Sequence, residues 1–97
     1  MNVFILIPAF NPDMALVTLV EIIKKMDIGS IVIVNDGSDP EFLHIFEMIQ
    51  NNFGIAVVNH SDNTGKGHAL KSGFNHILQN HQGITGIITC DADGQHT

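Results

Sequence analysis

Two carboxylates and a glycine stand near the end of the chain, directly after an apolar run. Ile87-Ile88-Thr89-Cys90 leads into Asp91-Ala92-Asp93-Gly94-Gln95-His96. A strand ending in Asp-x-Asp sets two hard oxygen ligands at the edge of a sheet. Such a donor set suits Mg²⁺ or Mn²⁺ and, through the metal, a phosphate-bearing substrate. Asp-x-Asp-Gly is also ordinary turn composition, so the motif needs partners elsewhere. Three other loops offer them. Pro8-Ala9-Phe10-Asn11-Pro12 carries an aromatic ring between two prolines, either a plug in the core or a face on which a base stacks. Asn35-Asp36-Gly37-Ser38-Asp39 carries two more carboxylates. Asp39 precedes Pro40 and reads as a helix N-cap; Asp36 is not needed as a cap and reads either as a turn residue or as a ligand contact. Asn63-Thr64-Gly65-Lys66-Gly67 carries backbone N–H groups and one cation. It is either a phosphate cradle at a helix N-terminus or a glycine-rich helix start with a solvated lysine.

The stretches between these loops predict what positions them. Val3 to Ile7 is a continuous apolar run rich in β-branched residues, the pattern of a strand covered on both faces, and Pro8 is expected to end it. Met14 to Met26 follows with Leu16, Val17, Leu19, Val20, Ile22 and Ile23 at helical spacing, and Asp13 as a plausible N-cap. Ile31 to Val34 is a second buried strand. A helix then runs from Pro40 to about Asn51, with Phe42, Ile45, Phe46 and Ile49 inward, and Gly54 breaks it. Ile55 to Val58 is a third strand. A helix covers Gly67 to Gln79, with Ala69, Leu70, Phe74, Ile77 and Leu78 inward. Gly86 to Cys90 is the fourth strand. The order β-α-β-α-β-α-β with short connections predicts an α/β fold, an open parallel sheet of four strands with helices on both faces. In such sheets ligands bind beyond the carboxyl ends of the strands, where the strand order reverses. All four polar loops fall at those ends.

Bulk properties narrow the function classes. The chain has 97 residues, enough for a single core, with 44% hydrophobic content. Its formal net charge is −6, from ten acidic residues against four lysines, which argues against nucleic-acid binding over a basic surface. An anionic ligand would therefore need a metal ion, a helix N-terminus or a placed lysine. Cys90 is the one cysteine, so no internal disulfide forms, and a reducing, cytoplasmic setting is expected. It reads as a packing residue. The apolar run at residues 3–7 is too short to span a membrane and lacks a basic leader. Competing motifs fail on spacing. A Walker loop needs Ser or Thr after Gly-Lys, where Gly67 stands, and Gly65-Lys66-Gly67-His68-Ala69-Leu70 lacks the last glycine of a dinucleotide fingerprint. His68, His76 and His81 show no zinc spacing and read as surface residues.

Taken together, the loops resemble the N-terminal half of family 2 glycosyltransferases, inverting enzymes with the GT-A fold. The matching stretches are Ile7-Pro8-Ala9-Phe10-Asn11, Val34-Asn35-Asp36-Gly37-Ser38, Asn63-x-Gly65-Lys66-Gly67-x-Ala69-x-x-x-Gly73 and Asp91-Ala92-Asp93-Gly94-Gln95-His96. The third and fourth look most like the branch containing polyprenyl-phosphate sugar synthases. The resemblance implies strand order 3-2-1-4, a Rossmann-like half of a GT-A fold, with Phe10 and Asp91 facing each other across one crevice. It implies a nucleotide-sugar donor, a UDP-sugar by family habit with GDP left open, and Mn²⁺ or Mg²⁺ as cofactor. Phe10 stands where the family usually has Tyr beside the base. Pro8 and Ala9 would supply backbone near the base, Asp36 would hydrogen-bond it, and Lys66 would border the diphosphate. Asp91 would lie near the ribose or sugar and, with Asp93, near the metal.

The family's acceptor half and its general base have no counterpart here. The chain ends at Thr97, just past the motif. The expectation is a truncated domain that binds donor, has no catalytic residue of its own, and is inactive alone. Its acceptor, a lipid phosphate or a glycan, is left open, and self-association through an exposed sheet edge is expected. Two readings from other classes stand beside this one. One is a haloacid-dehalogenase-like phosphatase, which a strand followed by Asp-x-Asp-Gly also opens, although there the partner residues follow the motif. The other is a non-catalytic nucleotide-binding or scaffold module in which the loops are relics.

Overall fold

The computed structural model describes residues 2–92. Asp93, on which the second metal-ligand expectation falls, lies outside the described residues, as do Gly94, Gln95 and His96. The elements run in the expected order: β1 (Asn2–Ala9), α1 (Met14–Met26), β2 (Ser30–Asp36), a 3₁₀ turn (Pro40–Phe42), α2 (Leu43–Phe53), β3 (Ala56–His60), α3 (Lys66–Asn80) and β4 (Ile84–Thr89). The four strands form one parallel sheet in the order β3-β2-β1-β4. The order reverses between β1 and β4.

Two apolar layers sandwich the sheet, because alternate residues of β1 and β2 point to opposite faces. Ile5, Ile7, Ile31 and Ile33 pack with Leu16, Val20 and Ile23 of α1 and with Ile45, Phe46 and Ile49 of α2. Phe4, Leu6, Val32 and Val34 pack on the other face with Ala69 and Ile77 of α3. Helices thus cover both faces. A Cβ on Gly73 would lie 2.3 Å from Leu6 Cδ1, so any side chain there must displace the fully buried Leu6 side chain. Asp13 caps α1 by accepting the Ala15 N–H at 2.9 Å. Gly54, in the left-handed region at φ 65°, ends α2.

Several local expectations are corrected. Pro8 does not end β1, which continues to Ala9 and pairs with β2 through Pro8↔Val34 and Ala9↔Asn35. The reason is the ladder's geometry. Leu6 O accepts the Cys90 N–H, so Leu6 faces β4, and Pro8, two residues on, faces the same side. Pairing with β4 stops at Leu6↔Thr89, so the missing N–H removes no ladder bond. The second helix begins as a 3₁₀ turn, with α2 starting at Leu43. Asp39 occupies the N-cap position of that turn without a side-chain cap bond. Its carboxylate instead accepts from Asn11 Nδ2 at 3.2 Å. Leu78 is 60% exposed, not inward, because Ala69, Gly73 and Ile77 already form the buried stripe of α3. β4 is an edge strand with no fully buried residue, and Cys90 beyond it is half-buried against the α1–α2 layer.

Candidate functional site

The residues singled out in the four loops converge. A cleft of about 450 Å³ opens beyond the carboxyl ends of the strands, and Pro8, Ala9, Phe10, Asp36, Lys66 and Asp91 all line it. It straddles the β1/β4 reversal, where an open α/β sheet leaves space between diverging loops. Phe10 is 48% exposed, so it is a face of the cleft and not a core plug.

The loop carrying Phe10 is held by a reciprocal clasp. Asn11 N donates to Ser38 Oγ, Asn11 Nδ2 donates to Asp39, and Asp39 N donates back to Asn11 Oδ1 at 2.9 Å. Asn11 adopts φ 48°, a left-handed conformation that Asn tolerates better than most residues. The clasp ties the β1–α1 loop to the β2 loop and so sets Phe10 relative to Asp36. Ser38 N in turn donates to Asn35 Oδ1, while Asn35 Nδ2 donates to Asn59 Oδ1 on β3. Gly37 sits at φ 70° against the backbone of Asp62 and Asn63; a Cβ there would lie 2.2 Å from a carbonyl carbon. The second and third loops are therefore in backbone contact.

Asp36 is the most constrained group of the site. It is one of two buried polar residues among those described, at 3% exposure. Its Oδ1 accepts from His60 Nδ1 at 2.8 Å, Thr64 Oγ1 at 2.8 Å and Thr64 N at 3.1 Å. Its Oδ2 accepts from Gly65 N at 2.9 Å. Burial alone would raise the carboxyl's pKa, but these donors outweigh it and hold Asp36 below the ordinary 3.8. An ionised Asp36 can only accept, so His60 carries its hydrogen on Nδ1. In the neutral ring Nε2 then accepts from the Ser72 hydroxyl, 2.8 Å away on α3. The His60 ring also stacks on His68, with centroids 5.3 Å apart.

The Gly65 N–H, expected within a phosphate cradle, is committed to Asp36. Lys66, the first residue of α3, reaches across the cleft to Asp91 Oδ1. The pair is open to solvent, with side-chain exposures of 63% and 47%, a setting in which an ion pair contributes little to stability. Among the described residues no group of three or more His, Cys, Asp or Glu side chains is arranged as a metal cage.

His60, Thr64 and Ser72 escape the reading of the sequence, which ends the third strand at Val58. β3 continues to His60 and pairs it level with Asp36, so both side chains emerge on one face. The available signal was that register: carrying the strand two residues further brings a histidine beside the acid.

With the geometry in view, comparison with known proteins identifies the class. The chain belongs to glycosyl transferase family 2, whose model matches residues 4–97. It is 36% identical over 95 residues to the uncharacterized protein MJ1222 of Methanocaldococcus jannaschii, a match covering 98% of this chain and 37% of that relative. Two crystal structures of S. aureus TarS share its architecture, with TM-scores of 0.73 and 0.72 at 20% and 22% identity. Each match covers 96% of this chain, but only 17% and 28% of the respective TarS chains. The four-stranded unit is thus part of a GT-A fold. No helix among the described residues is long and apolar enough to cross a membrane.

Proposed function

We propose that the cleft binds a nucleotide-diphosphate sugar, a UDP-sugar, as the donor site of a metal-dependent, inverting glycosyltransferase. One observation carries the reading: the six described residues chosen from four separate loops line a single cleft at the strand-order reversal. Phe10 offers an exposed ring for stacking the base, flanked by Pro8 and Ala9. Asp36 is an ionised acceptor for a base N–H. Lys66 supplies the cation that an anionic ligand requires in a chain of net charge −6. Mg²⁺ or Mn²⁺ fits the donor chemistry, since a catalytic metal of this kind needs only one or two carboxylates, with substrate phosphates and water completing its shell. Asp91, half-exposed at the cleft, and Asp93 would hold it. When bound, the metal supplies positive charge opposite the leaving diphosphate.

The chain spans 37% of its curated relative's length. Acceptor binding, to a lipid phosphate or a glycan, and proton removal from the acceptor hydroxyl are assigned to residues outside this chain. On this reading the chain alone binds donor and does not transfer sugar. The test is equilibrium binding of UDP to the wild type, Phe10→Ala and Lys66→Ala. Each variant is expected to weaken binding about tenfold, from lost stacking and a lost charge-assisted contact respectively. UDP binding unaffected by both substitutions would place the nucleotide elsewhere and refute the reading.

A further inference from the structure

We propose that His60, backed by Ser72, is a positioning residue for nucleobase recognition: it occupies one oxygen of Asp36 and leaves the other to take a single N–H donor. The inference rests on the donor reading above and adds to it what selects the base.

The argument is a count of acceptor sites. A carboxylate offers about four lone-pair directions, two on each oxygen. Oδ1 of Asp36 already accepts from His60 Nδ1, Thr64 Oγ1 and Thr64 N. Among the described residues, Oδ2 accepts only from Gly65 N. Asp36 lines the cleft, so what it can offer a ligand is one acceptor direction on Oδ2. A uracil-type imide presents one N–H between two carbonyls and matches that offer. A guanine edge presents two adjacent donors and is best met by both carboxylate oxygens, one of which is taken.

His60 ties this assignment to the body of the fold, since the other three donors belong to the loop at Thr64 and Gly65. The imidazole is held at three points: Nδ1 by Asp36, Nε2 by Ser72 Oγ, and its face by the His68 ring. The Ser72 hydroxyl comes from α3, which packs on β1 and β2, so the ring is braced by the helix and not by the loop. Its side chain is 14% exposed beside an Asp36 side chain that is 5% exposed, so water cannot easily substitute for it. Without the ring, Thr64 and Gly65 still donate to Asp36, but the donor braced by α3 is gone, and the carboxylate can shift with the loop about its terminal torsion, which has no sharp minimum.

The experiment compares UDP with its N3-methyl analogue on the wild type, His60→Leu, His60→Asn and Ser72→Ala. Fold integrity is checked by circular dichroism. The wild type is expected to prefer UDP by about tenfold, the scale of one hydrogen bond to a charged acceptor. His60→Asn keeps an amide N–H near the position of Nδ1 but has no counterpart of Nε2 for Ser72, so it and Ser72→Ala should each keep only part of that preference. His60→Leu should lose it, binding the two ligands within about twofold of each other. A folded His60→Leu protein that keeps the full preference would overturn the inference. If His60→Leu does not fold, the same retention in Ser72→Ala would overturn it. A wild type that binds UDP without discriminating against the methyl analogue refutes the inference while the donor reading stands. A wild type that binds neither refutes both.

Discussion

Replacing Asp36 by alanine should destabilise the protein in a way that depends on pH with a known sign. The substitution removes four hydrogen bonds to one buried carboxylate: from His60, from the Thr64 hydroxyl, and from the Thr64 and Gly65 amides. Charge-assisted bonds contribute roughly 1.5 kcal/mol each net of solvation. Part of the loss is recovered. The Thr64 hydroxyl lies 3.2 Å from His60 Nδ1 and can re-pair with it, and Gly65 N keeps Asn63 Oδ1 at 3.2 Å. Among the described residues the Thr64 amide has no such fallback. The alanine variant also escapes the cost of burying a charge. The balance is a loss of about 3 kcal/mol at neutral pH. For a domain of this size that lowers Tm by roughly 12–24 °C. The sign of the pH dependence follows from the depressed pKa. The folded value of Asp36 lies below its unfolded value near 3.8. Its contribution is therefore fully present above that pH and fades as pH falls through the folded value. Urea denaturation of wild type and variant across pH 7 to 2.5 reads the difference directly. The gap should be widest at neutral pH and close toward the acid end. A gap under about 1 kcal/mol at pH 7, or one that widens in acid, would refute the assignment of Asp36 as the keystone of the second and third loops.

Other outcomes follow from the same geometry. Gly73→Val drives a side chain into Leu6, whose Cδ1 lies 2.3 Å from the added Cβ; calorimetric melting should show a loss of about 1–3 kcal/mol. Leu78→Lys changes a residue that is 60% exposed and should move stability by less than about 0.5 kcal/mol in the same assay. Asn11→Gly keeps the left-handed backbone but deletes the side-chain half of the clasp to Asp39, and it should weaken UDP binding severalfold while Tm moves by only a few degrees. β4 is a sheet edge, and Ile88 is 47% exposed. Light scattering is expected to show concentration-dependent dimers that Ile88→Lys disperses, since edge lysines block strand pairing.

The sheet was legible because its signal is redundant. Val3 to Ile7 and Ile31 to Val34 are unbroken apolar runs, and glycines or prolines punctuate the connections. Strand order was not in that pattern; it came with the resemblance, carried by the loop motifs. The boundaries that failed did so where a tertiary partner overrode a local rule. Pro8 is tolerated because β4 has already stopped pairing, and Asp39 keeps the N-cap position without a side-chain cap bond because Asn11 claims its carboxylate. Neither partner is visible in a local window. The cleft lining was legible because each loop carried chemistry that its turn did not require. The support behind it was not. His60 looks like loop composition until β3 is carried two residues further, and Ser72 looks like a helix-surface serine until α3 is docked.

The central claim is that a metal-dependent nucleotide-sugar donor site assembles within this chain. A calorimetric titration of UDP with and without Mn²⁺, on the wild type and on Asp91→Ala and Asp93→Ala, tests it most directly. The account predicts binding that Mn²⁺ strengthens by at least about tenfold in the wild type, with that gain lost in both variants and the metal-free binding retained. A folded wild type that binds UDP equally with and without the metal, or a metal gain that survives both substitutions, would contradict it.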